Sequence, residues 1–361
     1  MNLEREYWYW LNNIEGIGNA KIRNLLEVFQ SPYEIAHAGE KDLRNIPRLD
    51  DNDMERILSD NLRKKTFEEY GQMMESNIHC VFPYEKEYPH SLLDLYDKPF
   101  VLYYRGRLPD VSKKSVAVVG ARNCSFYGQR VAGEIGRILA LNNVNVISGM
   151  ALGTDSYAHN GAIMAGGRTY AVLAGGPDKS YPLQNYNLYM DIIKDGGIIS
   201  EYRPGTRTVP GMFPIRNRII SGLCDATIVV EADMKSGSLI TANYALEQNR
   251  QILAVPGRIE DDKSRGTNSL ISQGAEAITS YEHMLEILGI KSDNKIDKNN
   301  LVLASDEKML YSLLLDFTPK SLQSLLSESN LSESAVFTGL LELELKGLIK
   351  EISKNFYVRI G

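Results

Sequence analysis

Short apolar segments alternate with amphipathic segments through the middle of the chain. The apolar segments lie at 115–119, 144–148, 169–174, 197–200, 226–231 and 251–255. They are mostly continuous, which is typical of strands that are buried on both faces of a sheet. Helical periodicity separates them, at 126–141, 156–165, 184–194, 215–223 and 238–249. This alternation predicts the α/β class, with a doubly wound, mostly parallel, Rossmann-like central domain.

The flanks of the chain follow other patterns. Residues 1–85 have helical apolar spacing and few β-branched runs, which predicts an N-terminal helical domain of the SAM or helix-hairpin-helix kind. The polar stretch 291–300 lacks periodicity and is interpreted as a linker. We therefore expect four parts, at 1–85, 86–290, 291–300 and 301–361.

Three short helices and a hairpin are predicted after the linker. Thr318 is predicted to cap a helix whose first residue is Pro319. Gly347 is predicted to end the third helix, and residues 349–360 are predicted to form a hairpin. This combination predicts a winged-helix-like domain. Its six basic and eight acidic residues give a charge of −2, and Glu342 and Glu344 lie in the last predicted helix. A protein-binding or packing role is therefore favoured over reading of a DNA groove.

The N-terminal segment Ile14–Gly18 carries two glycines around one apolar residue between two helical patterns. Such a turn brings two helices close together and can point backbone N–H groups at a phosphate. A tight helix connection explains the same glycines, and both interpretations stay open.

Charge and cysteine content restrict the class of protein. A net charge of −6 gives no general attraction to nucleic acid, so such binding requires a local patch. The three separated cysteines suit a reducing compartment, and no apolar run is long enough to span a bilayer. We expect a cytoplasmic protein without a membrane partner.

A glycine turn with a basic residue follows the first central strand. Gly120, Ala121 and Arg122 stand where α/β proteins build an anion pocket. The turn lacks the G-x-G-x-x-G spacing of a dinucleotide site, and the second strand ends in Ser148 rather than an acid. The segment 175–180 also lacks the spacing of a phosphate-binding P-loop. No cofactor is therefore expected.

The other strand-end loops are rich in arginine, glycine and hydroxyl groups. Residues 202–218 carry four arginines, and among them Phe213 offers an aromatic face that could receive a nucleobase. A third loop precedes the helix at 238–249, whose amides could bind phosphate. Together these loops predict a site for an extended anionic ligand, and its candidate binding residues are Gly120, Ala121, Arg122, Lys179, Arg207, Phe213, Arg216, Asn217, Arg218, Ser236, Gly237 and Ser238. Any one arginine could instead be ion-paired, and Phe213 could be core.

No metal site is expected, because no His, Asp or Glu cluster has ligand spacing. Asp155 and His159 are four residues apart and could share a helix face, but a third ligand is not evident. His159 is therefore interpreted as a structural group rather than a catalyst.

Many ordered motifs resemble those of the DNA-processing protein A (DprA, also called Smf) family. They are Leu95–Gly106, Val118–Arg122, Ser148–Asp155, Tyr181-Pro182, Ser200-Glu201, Pro204-Gly205, Phe213–Arg218, Ser236–Ala242, Val255–Gly257 and Gly266–Asn268. The resemblance spans about 200 residues. It implies a bacterial, non-enzymatic homodimer that binds and protects single-stranded DNA and loads the RecA recombinase during natural transformation.

The resemblance also implies roles for single residues. Arg122 corresponds to the family's phosphate contact, and Phe213–Arg218 corresponds to its stacking aromatic and further basic contacts. Ala121 departs from the usual serine of this turn, which puts one hydroxyl hydrogen bond in doubt, worth roughly 0.5–1.5 kcal/mol.

Two other functions remain open at this point. Related folds include phosphoribohydrolase-like enzymes that cleave a nucleotide's glycosidic bond, and Glu201 or Glu231 could supply the required acid. Alternatively, the chain is an adaptor whose end domains recruit partners.

Overall fold

The structure is a computed structural model that describes residues 3–291, 303–314 and 319–359. These residues form two compact units. One contains residues 3–124 and 132–289, and the other contains 125–131 and the described residues from 290 onward. Most of the predicted linker, 292–300, lies outside the described residues.

A nine-stranded sheet forms the centre of the first unit. Its strands are β1 (His79–Val81), β2 (Leu102–Gly106), β3 (Ser115–Val119), β4 (Asn145–Ser148), β5 (Thr169–Val172), β6 (Gly197–Ser200), β7 (Ala226–Val229), β8 (Gln251–Ala254) and β9 (Glu276–Ala277). The order across the sheet is β1-β2-β6-β5-β4-β3-β7-β8-β9. The strands from β3 to β9 are parallel, with Val118 opposite Ile228 in the central pair. All six predicted strands are present, which confirms the predicted fold class.

Three strands toward the two ends of the sheet, β1, β2 and β9, were not predicted. β1 and β2 run antiparallel, and β2 is also antiparallel to β6, with Tyr103 opposite Ser200. The sheet therefore begins at His79, ahead of the boundary predicted at 86. β1 and β9, with three and two residues, carry too little periodicity to be recognised.

The helices of this unit lie before and between the strands. They are α1 (Leu3–Asn13), α2 (Asn19–Val28), α3 (Pro32–Ala36), α4 (Glu40–Leu43), α5 (Asp51–Leu58), α6 (Asp60–Glu75), α7 (Phe126–Leu141), α8 (Thr154–Met164), α9 (Tyr186–Asp195), α10 (Met212–Gly222), α11 (Gly237–Glu247), α12 (Asp262–Ser272) and α13 (Tyr281–Ile287). The first six residues of α7 and the preceding Ser125 group with the other unit. α7 through α11 correspond to the five predicted helices, whereas α12 and α13 were not predicted.

Glycines bring α7 and α8 into backbone contact in the first unit. A Cβ atom on Gly161 would lie 1.9 Å from the carbonyl oxygen of Gly133, and one on Gly136 would lie 2.1 Å from that of Ala158. Any larger residue would push the helices apart, since real Cβ atoms do not approach so closely. This packing fixes α8, whose N-terminus lies at the strand ends.

The N-terminal helices surround their own apolar core. Ile22, Leu25 and Leu43 are fully buried there with Trp10 of α1. Ile17 is buried between α1 and α2, and Gly16 takes a φ of +84°, which favours glycine. The turn at 14–18 is thus a close helix connection.

In the second unit, the described residues from 303 onward form three helices and a small sheet. They are α14 (Ser305–Leu313), α15 (Leu322–Ser329), α16 (Glu333–Leu345), β10 (Lys320–Ser321), β11 (Ile349–Ser353) and β12 (Phe356–Arg359), and the sheet order is β10-β12-β11. The predicted hairpin and the stop near Gly347, whose φ is +68°, are present. The predicted helix start is wrong at Pro319, because α15 begins at Leu322 with Ser321 as its cap. Thr318 lies outside the described residues.

Candidate nucleic-acid interface

The strand order places a topological switch between β3 and β7. The chain proceeds outward from β3 through β4, β5 and β6, and then returns to the other side of β3 with β7. Ligands of open α/β sheets bind outside the carboxyl ends of the strands at such a switch. The loops that follow β3 to β8 meet at this edge, which we call the strand-end edge.

The turn after β3 is packed tightly against the start of α8. A Cβ atom on Gly120 would lie 2.6 Å from Oγ1 of Thr154 and 3.0 Å from the carbonyl oxygen of Glu231. The carbonyl oxygen of Ala121 accepts hydrogen bonds from the backbone N–H and the hydroxyl of Thr154, both at 3.2 Å. Gly120 and Ala121 therefore shape the turn, while Arg122 is exposed beyond it.

Two aromatic rings lie beside Arg122. Its guanidinium carbon is 5.0 Å from the centroid of the Phe213 ring, and the Tyr181 ring centroid is 5.6 Å from that of Phe213. Phe213 is half-buried in the first turn of α10, and Tyr181 is 47% exposed. Tyr181 was not among the predicted binding residues. Its position in a glycine- and proline-rich loop after β5 was the available signal.

Arg216 lies beneath this aromatic pair. It is buried, and its Nη1 donates to the carbonyl oxygens of Gly149, at 2.9 Å, and Val172. Burial lowers the pKa of Arg216 to about 10, although the nearby Asp155 carboxylate opposes this shift. Arg216 thus ties the ends of β4 and β5 together, and a direct DNA contact stays a prediction.

Arg218 is held by carboxylates. Its Nη2 lies 2.6 and 2.5 Å from the two carboxylate oxygens of Glu201, and its Nε lies 3.0 Å from Oδ2 of Asp97. Burial opposes the charge of Arg218, but these carboxylates raise its pKa above the ordinary value. Its side chain is only 3% exposed. The structure therefore places Arg218 in an ion pair rather than at the surface, and its predicted DNA contact stays a prediction.

Glu201 also links the N-terminal helices to this edge. Nδ2 of Asn19, at the start of α2, donates to Oε1 of Glu201 at 2.8 Å. The first residue of the helix after the 14–18 turn is therefore engaged with the protein's own carboxylate.

The start of α11 adds backbone amides and hydroxyl groups. Ser236 caps the helix, with its Oγ 3.4 Å from the backbone N of Ser238 and 2.8 Å from the Oγ of Ser238. Nδ2 of Asn217 donates to the carbonyl oxygen of Gly237 at 3.3 Å. Asn217 and Ser238 are buried, whereas Gly237 is exposed.

Lys179 and Arg207 lie on two joined loops. The backbone N–H of Gly205 donates to Oδ1 of Asp178 at 2.8 Å, and that of Gly176 donates to the carbonyl oxygen of Thr206 at 3.0 Å. Both cationic residues are exposed. Exposed Lys235 and Arg258 follow β7 and β8 and were not among the predicted residues.

Asp155 and His159 are buried in α8 and serve structural contacts. The Asp155 carboxylate accepts from the backbone N–H groups of Gly149 and Ala151, at 3.1 and 3.3 Å. Nδ1 of His159 lies 2.6 Å from Oγ1 of Thr169, and burial lowers the pKa of His159 to about 3. The described residues contain no cluster of three or more His, Cys, Asp or Glu side chains that could hold a metal ion.

Each helix in the described ranges is too short or too polar to cross a bilayer.

The fold and this edge define a Rossmann-like α/β protein with cationic and aromatic groups at its strand ends. The sequence model of a family described as DNA recombination-mediator protein A matches residues 79–289. Together with the relatives below, this match shows that the chain belongs to that family, the DprA/Smf family, as its motifs predicted.

Two relatives illustrate the similarity. Protein Smf of Synechocystis sp. (strain ATCC 27184 / PCC 6803 / Kazusa) is 30% identical over 387 residues, covering 97% of each chain. DNA processing protein DprA of Streptococcus pneumoniae (strain ATCC BAA-255 / R6) is 43% identical over 198 residues, covering 55% of this chain and 70% of that protein.

Two solved structures are also similar. DNA processing protein A of Streptococcus pneumoniae has a TM-score of 0.62 and 32% identity, and the match covers 78% of this chain and 97% of the other. DNA processing protein A of Helicobacter pylori, from work describing its single-stranded DNA binding mode, has a TM-score of 0.53 and 29% identity. That match covers 58% of this chain and 95% of the other.

Proposed function

We propose that this protein binds single-stranded DNA, without sequence preference, at the strand-end edge. The observation that carries the proposal is the exposed Arg122 guanidinium 5.0 Å from the Phe213 ring centroid. A cation beside an aromatic face suits a polynucleotide, in which a phosphate accompanies each base. Stacking and phosphate contacts do not distinguish base sequences, so the binding is sequence-independent.

The residues of this edge divide between direct contact and support. Arg122, Lys179 and Arg207 are exposed and would neutralise phosphates, while Phe213 and Tyr181 would receive bases. Gly237 would offer a backbone amide at the start of α11. We assign support roles to the buried predicted residues, which are Arg216, Asn217, Arg218 and Ser238.

The wider role rests on family membership. We propose that the protein acts in the cytoplasm as a homodimer that protects incoming single-stranded DNA and loads RecA during natural transformation. This role requires no bond cleavage by the protein itself. On DNA coated with a single-stranded-DNA-binding protein, ATP hydrolysis by RecA begins after a lag. The proposal predicts that adding this protein shortens that lag. An unchanged lag would contradict loading.

Fluorescence anisotropy with competitors tests the binding proposal. A labelled thymidine oligonucleotide is displaced by unlabelled single strands, duplexes or mononucleotides. The proposal predicts that single strands of different sequence compete alike, with duplex and mononucleotide much weaker. Preferential displacement by duplex DNA would contradict it.

The glycosidic-bond-cleaving alternative is less well supported. Glu201 accepts from Arg218 and Asn19, so its oxygens are committed to protein contacts. Incubation with nucleoside monophosphates followed by chromatography distinguishes the two functions. Release of free base that Glu201→Gln or Glu231→Gln abolishes would establish the enzyme.

A further inference from the structure

Helix α16 carries an apolar stripe on its exposed face. Phe337, Leu341 and Leu345 are 46%, 59% and 79% exposed. Their spacing of four residues places them on one face, within an arc of about 80° at 3.6 residues per turn. Scattered apolar side chains are normal on a surface, but an ordered row along one helix marks a contact site.

The opposite face of α16 already supplies the core of its unit. Val336, Leu340 and Leu343 are buried in the cluster that also contains Leu310 of α14. A Cβ atom on Gly339 would lie 2.6 Å from Cδ1 of Leu310, so the inward face packs closely. The outer stripe is therefore additional to what the fold requires, and α16 is apolar on two faces.

Carboxylates border the stripe on both sides. At about 100° per residue, Glu333 and Glu344 fall on one side of the row and Glu342 on the other. The helix itself contains no lysine or arginine. Lys346, just after it, is paired with Glu307. This face would repel a phosphate backbone and attract a basic partner.

We propose that the α16 stripe is a docking site for an amphipathic helix of a protein partner, with an apolar row bordered by lysine or arginine. A row with a period of four residues forms the ridge that packs against a second helix. The occupant would insert its apolar side chains beside Leu341 while its basic residues meet the bordering glutamates. The winged-helix-like unit would then recruit protein rather than read DNA.

Binding of a designed peptide to the full chain tests this proposal. The probe is a helical peptide with leucine on one face and lysine on the other. The control peptide has the same sequence with glutamate in place of each lysine. We expect the lysine peptide to bind, the glutamate peptide to bind at least about tenfold more weakly, and hydrogen-exchange protection to lie on 333–345. Leu341→Ser should weaken binding about tenfold, a loss of about 1.4 kcal/mol. Leu345→Ser, at the most exposed position, provides a second variant if the first disturbs folding.

A matched variant separates this site from general attraction to an acidic protein. Ile259→Ser removes an 84% exposed apolar side chain from the other unit and should leave peptide affinity unchanged. Equal binding of both peptides, no binding, or protection outside α16 would overturn the proposal. Sedimentation that shows Leu341→Ser dissociating an oligomer of the full chain would also overturn it, because the occupant would then be a second copy.

Discussion

The guanidinium carbon of Arg122 lies 5.0 Å from the centroid of the Phe213 ring, although the two residues follow different strands of the sheet. Arg122 ends the turn after β3, and Phe213 lies in the first turn of the helix that follows the long loop after β6. The parallel sheet brings both to one edge. The proposed phosphate contact and the proposed base contact therefore lie side by side.

Replacing the Phe213 ring should remove a stacking surface. Phe213→Leu is expected to reduce single-stranded DNA affinity by about 1–3 kcal/mol, the usual value of one base on an aromatic side chain. Phe213→Tyr should retain most of the affinity, because it keeps the ring. Anisotropy titration measures both. Equal affinities for the leucine variant and the unmodified protein would exclude stacking on this ring.

Gly149→Ala should displace Arg216. The new Cβ atom would lie 2.6 Å from Nη2 of Arg216, whose buried guanidinium is also bound to Val172. We expect a loss of about 1–3 kcal/mol in the free energy of unfolding. Denaturant titration measures this loss.

Gly237→Ala is the control for this substitution, because a Cβ atom there meets nothing within 4 Å. Its unfolding free energy should change by less than about 1 kcal/mol. If the two alanine substitutions changed the free energy of unfolding equally, the contacts of Arg216 would contribute nothing to stability.

Glu201→Gln should destabilise the protein, because the buried Arg218 guanidinium would lose one of its two carboxylate partners. Removing one partner of a buried ion pair usually costs about 3–5 kcal/mol, and the remaining Asp97 places our expectation near the lower end. A double-mutant cycle with Arg218→Met isolates the pairwise energy from denaturant titrations. Additive effects of the two substitutions would contradict the coupling.

Stability should fall in acid because of His159. Its pKa is about 3 in the folded protein and about 6.5 when unfolded, so below pH 6.5 the unfolded state binds the additional proton. The stability that neutral His159 contributes is therefore fully present above pH 6.5. As the pH falls from 6.5 toward 3, the free energy of unfolding decreases by at most about 1.4 kcal/mol per pH unit. His159→Gln should remove this component. Identical pH profiles of the unfolding free energy would show that His159 does not carry it.

The sequence predicted the elements of this edge better than the exposure of their side chains. β3 and β6 were predicted with their observed bounds, because continuous apolar runs identify strands that are buried on both faces. Arg216 and Arg218 are two residues apart on α10, and the fold directs one toward Val172 and the other toward Glu201. Their burial depends on partners that are distant in the chain, which residue spacing does not reveal.

The salt dependence of single-stranded DNA binding by Arg122→Ala tests the central claim most directly. Each neutralised phosphate contributes about −0.7 to the slope of log affinity against log salt. The account predicts weaker binding to all sequences alike and a slope flatter by about 0.7. Arg44→Ala, which removes an exposed arginine from the N-terminal helices, should change neither quantity. A folded Arg122→Ala protein with the original affinity and slope would contradict the account.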